Sequence, residues 1–439
     1  MLNRDENDLL ARVGPGTPMG AFLRHYWMPA CIAEELPEPD GAPMRLQLLG
    51  EDLIAWRNTD RSIGVMQNAC PHRGASLFFG RNEENGLRCV YHGWKFDVSG
   101  ACIDMPNEPA ESNFKHKIKA TAYTVIERGG VVWVFMGAAD PAPALPAFEW
   151  NLLPPEQVSL SMLVQECNWA QAVEGGIDSS HVGFLHGKLG SALAAIPAGT
   201  GRYYSQKDNA PRFEVMDTEY GMVIGARRNA EDDSYYWRIS QFLYPFYSMI
   251  PPSGALGAAT VSGHAWVPMD DHHVMMWEIE WHPNRALTAK ERERELANKG
   301  TEGPEGMLPP STRPGGRWYP RLNDANDYGQ DYELQRTLWF SGVPSTQIQD
   351  IAIQESMGTV YDRTKEHLGS SDTAIIHYRR RWIAGAKALA ETGETPPGVT
   401  VPDSYAVRSA SLVLPRATSW ADEGRKVWFA KKDTTVASV

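Results

Sequence analysis

The chain has 439 residues, 54 of them acidic and 42 basic, giving a formal net charge of −12. That balance excludes a nucleic-acid binder, which needs a basic face to neutralise phosphates, and is otherwise the mark of a well-solvated surface. The length gives two or three domains with a sizeable core, and five cysteines, an odd and sparse set, argue against a disulfide framework and for a reducing compartment, expected to be the cytoplasm.

In chain order, MLNRDENDLL is charged and lacks an apolar core, so no signal peptide is expected. The longest apolar run, VVWVFMGAA, is far short of a membrane span. GPGTPMG lacks both a preceding strand and the Lys-Ser/Thr of a phosphate loop, and reads as a turn. From Met44 to Gly137 short strands alternate with turns (RLQLLG, LIAWRN, GVMQNA, TAYTVIE, GGVVWVFMG), which predicts a compact all-β unit. The proline-rich Asp140–Glu156 reads as a connection. A helix-like stretch runs from Asn168 to about His186, followed by three hairpins: RFEVMDTEYGMVIGARRN, YYWRISQFLYPFYSMI and GHAWVPMDDHHVMMWEIEWHP.

A polar, Gly/Pro-rich insertion from about Pro283 to Asp327 is open to three readings: lid, surface loop or disorder. Helical patterns follow near Ile348–His367 and Thr373–Thr392, then the linker TPPGVTVPDS and a tail; no internal repeat is found. The expected organisation is an all-β domain over 1–145 and an α+β domain over 146–439, the latter a large antiparallel sheet flanked by helices in the helix-grip manner.

Inside the β unit stands CPHRGASLFFGRNEENGLRCVYHGW, with Cys70 and His72 one residue apart and Cys89 and His92 two apart. Zinc fingers usually place Cys-Cys first and His-His later on a helix. Here each pair is mixed, lies at a predicted hairpin tip and is followed by glycine, which lets backbone N–H groups approach a cluster. Two thiolates on one iron and two imidazoles on the other fit this count, so a Rieske-type 2Fe–2S site is favoured over structural zinc.

A second constellation lies in NWAQAVEGGIDSSHVGFLHG. Asp178 and His181, three apart, share a helix face; His181 and His186, five apart, require a distortion near Gly183. Two histidines and one carboxylate leave open positions on an iron. The segment STQIQDIAIQESMG offers Asp350, on a helix whose Ile351, Ile353 and Met357 look buried. Glu355 and Asp362 compete as carboxylates but read as surface charge. The remaining histidines, His264 among them, read as surface or capping residues, and Cys31, Cys102 and Cys167 as buried small residues. Arg379–Trp382 (RRRW) reads as a solvated helix face, with reductase docking the lesser alternative. Lys207, Arg227 and Arg238 could each bind a carboxylate, although outward-facing charge is the plainer reading of all three.

CPHRGASL followed by CVYHGWKFD resembles the Rieske centre of the ring-hydroxylating oxygenases, and AVEGGIDSSH, QDIAIQESMG and DRTKEHLGSSD resemble their phthalate dioxygenase branch. The resemblance implies that Cys70 and Cys89 ligate one cluster iron and His72 and His92 the other. It further implies that His181, His186 and Asp350 hold a mononuclear Fe(II), and that Asp178 is the catalytic aspartate bridging to a neighbouring subunit's cluster. On the same ground the chain would be the terminal oxygenase of a multicomponent system, an oxidoreductase that incorporates O2 into a small aromatic substrate. Electrons would come from NAD(P)H through a separate flavin/iron–sulfur reductase, since no dinucleotide fingerprint occurs in the chain. The assembly would be a head-to-tail homotrimer or stacked trimers. The expected reaction is dioxygenation of a phthalate-like aromatic carboxylate, the alternative O-demethylation of a methoxylated, lignin-derived acid. A Rieske electron carrier without catalysis is the non-enzymatic rival; it has no use for His181, His186 and Asp350.

Overall fold

The alternation between Met44 and Gly137, joined by the earlier strand Trp27–Ile32, builds three small antiparallel sheets. A computed structural model describes residues 1–109, 111–254, 260–298 and 306–430. Strands β1 (Trp27–Ile32), β2 (Met44–Leu48), β3 (Glu51–Arg57) and β4 (Ile63–Gln67) are followed by four short ones, β5 (Arg81–Asn82), β6 (Leu87–Arg88), β7 (Lys95–Phe96) and β8 (Cys102–Asp104). Then come β9 (Thr124–Arg128) and β10 (Val131–Phe135). The sheet orders are β1-β10-β9, β2-β3-β4 and β5-β6-β7-β8. A separate core of Ile54, Trp56, Met66, Leu77, Trp94 and Phe96 lies beneath the Cys/His loops. Two N-terminal helices, α1 (Arg4–Ala11) and α2 (Pro18–Leu23), precede these strands.

The second unit is one antiparallel sheet of β11 (Val158–Gln165), β12 (Arg212–Thr218), β13 (Gly221–Asn229), β14 (Ser234–Leu243), β15 (Tyr247–Ile250), β16 (Val261–Pro268), β17 (Val274–Trp281) and β18 (Ala410–Pro415). Its order is β11-β17-β16-β15-β14-β13-β12, with β18 on β14. The three predicted hairpins are β12–β13, β14–β15 and β16–β17. Around the sheet lie α3 (Trp169–Ile177), α4 (Gly190–Ala194), α5 (Gly201–Lys207), α6 (Ala289–Asn298), α7 (Tyr332–Thr337), α8 (Thr346–Ser356), α9 (Thr373–Thr392) and α10 (Trp420–Arg425). Asn168 caps α3 by accepting from the Ala170 N–H at 3.1 Å. Gly175 and Gly176 let this helix lie flush: a Cβ on Gly176 would fall 1.9 Å from the Trp266 ring, and one on Gly175 2.3 Å from Gln354 Nε2.

Helix α3 stops at Ile177 rather than His186, and α8 stops at Ser356 rather than His367, because Gly358 turns the chain at φ +91°. On α8, Ile351 is buried as expected, whereas Ile353 and Met357 are 46% and 44% exposed. Part of the insertion forms α6, and a later part straps the two units together. Trp318 accepts from the Val164 N–H at 2.8 Å and donates its indole N–H to Glu35 at 3.1 Å, while Arg45 donates to the Thr312 carbonyl at 3.0 Å. Of the three readings, a packed surface loop fits this part; residues 299–305 and the tail beyond 430 lie outside the described residues.

The run Arg379–Trp382 is not a solvated face: Arg379 and Trp382 are buried, as is Arg363. The reason is Glu174 on α3, whose carboxylate takes Nε of Arg379 at 2.8 Å and Nε of Arg363 at 3.1 Å, while Arg379 also pairs with Glu366. Burial pushes the Glu174 carboxyl up, but the two guanidiniums outweigh it and hold it below its ordinary value. Its stabilising contribution is therefore full above the ordinary glutamate range and lost as pH falls through the lowered folded value. Glu174→Ala, which strands buried cations, is expected to cost about 3–5 kcal/mol in urea unfolding at neutral pH.

Candidate functional site

Two loops with the same hydrogen-bond pattern carry the first constellation. Cys70 N–H donates to the Ala75 carbonyl and Gly74 N–H to the Cys70 carbonyl, both at 2.8 Å. Cys89 N–H donates to the Trp94 carbonyl at 2.8 Å and Gly93 N–H to the Cys89 carbonyl at 2.9 Å. Each loop closes through a left-handed glycine, Gly74 at φ +74° and Gly93 at φ +80°, which explains the glycine after each histidine. The second loop is the β6–β7 hairpin tip, clamped by Arg88, which donates to Gly93 O and to Asp104, each at 2.7 Å. The His72 and His92 rings lie 4.5 Å apart between centroids, and His72 stacks on Trp94.

Both sulfurs are buried, and burial beside Cys89 pushes the Cys70 thiol up to about 11. Nδ1 of His92 is buried without a hydrogen-bond partner among the described residues. Two buried sulfurs and an orphaned imidazole nitrogen fit a metal cluster, whose positive charge would hold the thiolates that burial alone disfavours. The tip itself is open, with Arg73, Val90, Tyr91 and Phe79 exposed.

The second constellation forms where α3 ends. Asp178 meets His181 through a turn rather than across a helix face: Asp178 Oδ1 accepts from the Ser180 N–H at 2.6 Å, and Oδ2 lies 3.3 Å from His181 Nδ1. The expected distortion is a 3₁₀ turn over His181–Gly183, where a Cβ on Gly183 would sit 2.1 Å from Asn209 Oδ1. This turn swings His186 back, bringing its Nε2 to 3.2 Å from His181 Nε2. Asp350 on α8 completes the group, its Oδ1 3.6 Å from His181 Nε2 and 3.4 Å from His186 Nε2. Among the described residues, these three make the one set of metal-capable side chains whose ligand atoms all lie within 4.8 Å of one another. Two imidazoles and one carboxylate in this arrangement suit a non-haem ferrous ion.

Burial raises the Asp350 carboxyl, but the His186 and His181 imidazoles outweigh it and hold it low. His181 runs the other way: burial disfavours its cation, yet the Asp178 hydrogen bond and the Asp350 charge raise it overall. His264, expected at the surface, contributes to depressing Asp350 and stands 3.8 Å from the buried Glu278. Glu355 and Asp362 stay out of the group: Glu355 accepts from Tyr328 Oη at 2.6 Å, and Asp362 from Thr364 Oγ1 at 2.6 Å.

Sequence reading passed over Gln349. Its Nε2 donates to the Val343 carbonyl at 2.7 Å, which turns Oε1 toward His186 Nδ1, also at 2.7 Å. His186 therefore carries its proton on Nδ1 and presents Nε2 to the shared point. The available signal was adjacency, since Gln349 immediately precedes Asp350. Gln349→Leu is expected to weaken Fe(II) binding roughly 10- to 100-fold, read by competition with a chelator.

Of the three candidate carboxylate binders, Lys207 pairs with Glu231 at 3.7 Å and Arg227 lies over the Tyr235 ring. Arg238 departs from the outward reading. It is buried on β14, on the sheet face where Arg228 of β13 donates to the Ser179 carbonyl at 2.6 Å. Its guanidinium reaches Ser240 Oγ at 3.5 Å and has no carboxylate partner among the described residues, while its charge is felt by both Asp178 and His181.

Residues 26–122 match the Rieske [2Fe-2S] domain, and residues 134–438 match the LigXa C-terminal domain like family. The 3-chlorobenzoate-3,4-dioxygenase oxygenase subunit of Comamonas testosteroni is 40% identical over 95% of this chain and 96% of its own. The phthalate 4,5-dioxygenase oxygenase subunit of Pseudomonas putida is 37% identical over 100% of this chain and 98% of its own. Among solved structures, a caffeine-bound NdmA variant of Pseudomonas putida CBB5 shares the fold, with TM-score 0.56 at 18% identity over 87% of this chain and 95% of that one.

Proposed function

This chain belongs to the Rieske-type oxygenases with a LigXa-like C-terminal domain, and from that premise we propose that it is a terminal oxygenase that dihydroxylates an aromatic carboxylate. Cys70 and Cys89 would hold one cluster iron, His72 and His92 the other, and His181, His186 and Asp350 the mononuclear ferrous ion. When bound, the cluster supplies single electrons and the ferrous ion a site for activating O2. The observation that carries the reading is the convergence of His181, His186 and Asp350 on the same side of the sheet as Arg238, a buried cation with no carboxylate of its own. Asp178 and Gln349 orient the two imidazoles, and Arg238 pairs with the substrate carboxylate and orients its ring. O-demethylation is the less favoured reading, because both relatives above carry dioxygenase names.

Electrons come from a separate electron-transfer protein, in our reading a flavin/iron–sulfur reductase oxidising NAD(P)H. The chain works as a head-to-tail trimer or stacked trimers, with Asp178 bridging toward a neighbouring subunit's cluster. The exposed Phe79, Val90 and Tyr91 around the cluster loops support such an interface. The two units are 1–145 and 146–439, and no helix among the described residues is long and apolar enough to cross a membrane.

Oxygen uptake with a surrogate reductase across phthalates, chlorobenzoates and methoxybenzoates tests the reading. A cis-diol from an acid substrate is expected; formaldehyde from methoxybenzoates without any cis-diol would replace it with demethylation.

A further inference from the structure

Arg227, a candidate carboxylate binder that the iron site does not use, stands on the other face of the sheet. Residues alternate along a strand, so Arg228 and Arg238 face the Asp178–His181 turn while Arg227, Tyr235 and Trp237 face away from it. On that outer face a groove of about 670 Å³ is lined by Arg227, Tyr235, Trp237, Met216, Arg416 and Trp420. Two guanidiniums flank one phenol ring, Arg227 at 4.4 Å and Arg416 at 4.9 Å from the Tyr235 centroid. Trp237 and Trp420 stack at 5.1 Å beneath them, over a small apolar core.

The groove is cationic in a chain of net charge −12. Arg227 has no carboxylate partner among the described residues, and Arg212 sits opposite it in the β12–β13 register, adding a further positive charge. The lining acid, Glu214, is turned to the Trp420 indole N–H at 2.7 Å. Asp233, 3.5 Å from Arg416, is 90% exposed, so that ion pair is open to exchange with another anion. Forked guanidinium donors match a carboxylate, and guanidinium planes and indole edges match an aromatic ring.

We propose that this groove is a second, non-catalytic site for a small planar aromatic carboxylate. Its ligand shares the chemical class proposed for the iron site, but the groove stands on its own residues. Calorimetric titration of the iron-loaded full chain with benzoate should give two sites per chain. Arg238→Met should remove one, and R227Q/R416Q the other. The single exchanges R227Q, at a half-buried residue, and R416Q, at an exposed one, should each weaken that second site at least about tenfold. A single wild-type site that Arg238→Met abolishes, or two sites that survive R227Q/R416Q, would overturn the groove. Two sites that survive Arg238→Met but fall to one in R227Q/R416Q would support the groove and count against the role given to Arg238.

Discussion

Asp350→Ala is expected to abolish oxygenation, lowering turnover at least about a thousandfold, while the cluster stays intact and reducible. The size follows from the several kcal/mol that a bound metal ion supplies to a reaction of this kind, at one decade per 1.36 kcal/mol. Asp350 is the one anion among the three converging side chains, and His186 and His181 hold its carboxyl low in spite of its partial burial. Its loss leaves two imidazoles and no anion to hold a divalent cation. The checks are product formation and iron content, which should fall by about one iron per chain, with the reduced cluster's paramagnetic signal retained. Loss of that signal as well would mean that Asp350 supports the fold rather than the ferrous ion.

Arg238→Met is the second large effect, and it separates substrate recognition from oxygen chemistry. A buried guanidinium without a carboxylate partner is costly unless a ligand supplies one, and leaving a substrate carboxylate without that guanidinium costs about 2–5 kcal/mol. kcat/KM for an aromatic acid should therefore fall roughly 10²–10³-fold, mainly through KM, while the corresponding neutral amide should be turned over no worse than by the wild type. Equal losses on acid and amide would show that Arg238 only supports the sheet around it.

The parts legible in the sequence were those fixed by local chemistry. The quartet announced itself because a tight loop needs its cysteine, histidine and glycine within a few residues, and the structure gives both loops the same bonding pattern. The hairpins β12–β13, β14–β15 and β16–β17 follow from alternation interrupted by turns. What escaped was set by distant partners. Arg379 reads as surface charge until Glu174, far away in sequence, is brought against it, and Arg238 reads as outward until strand register decides its face. Ile353 and Met357 carry an apolar period that the fold leaves uncovered. Gln349 was missed because a buried glutamine holding an imidazole leaves no spacing motif.

The central claim is that one chain carries two iron centres, an electron relay in the β-rich front and a ferrous site at His181, His186 and Asp350. Metal and acid-labile sulfide analysis of the iron-replete chain, with paramagnetic resonance after reduction, tests it most directly. About three irons and two sulfides per chain with a Rieske-type signal are expected, and about two irons after Asp350→Ala. Zinc without sulfide, or about two irons in the wild type and in Asp350→Ala alike, would contradict it.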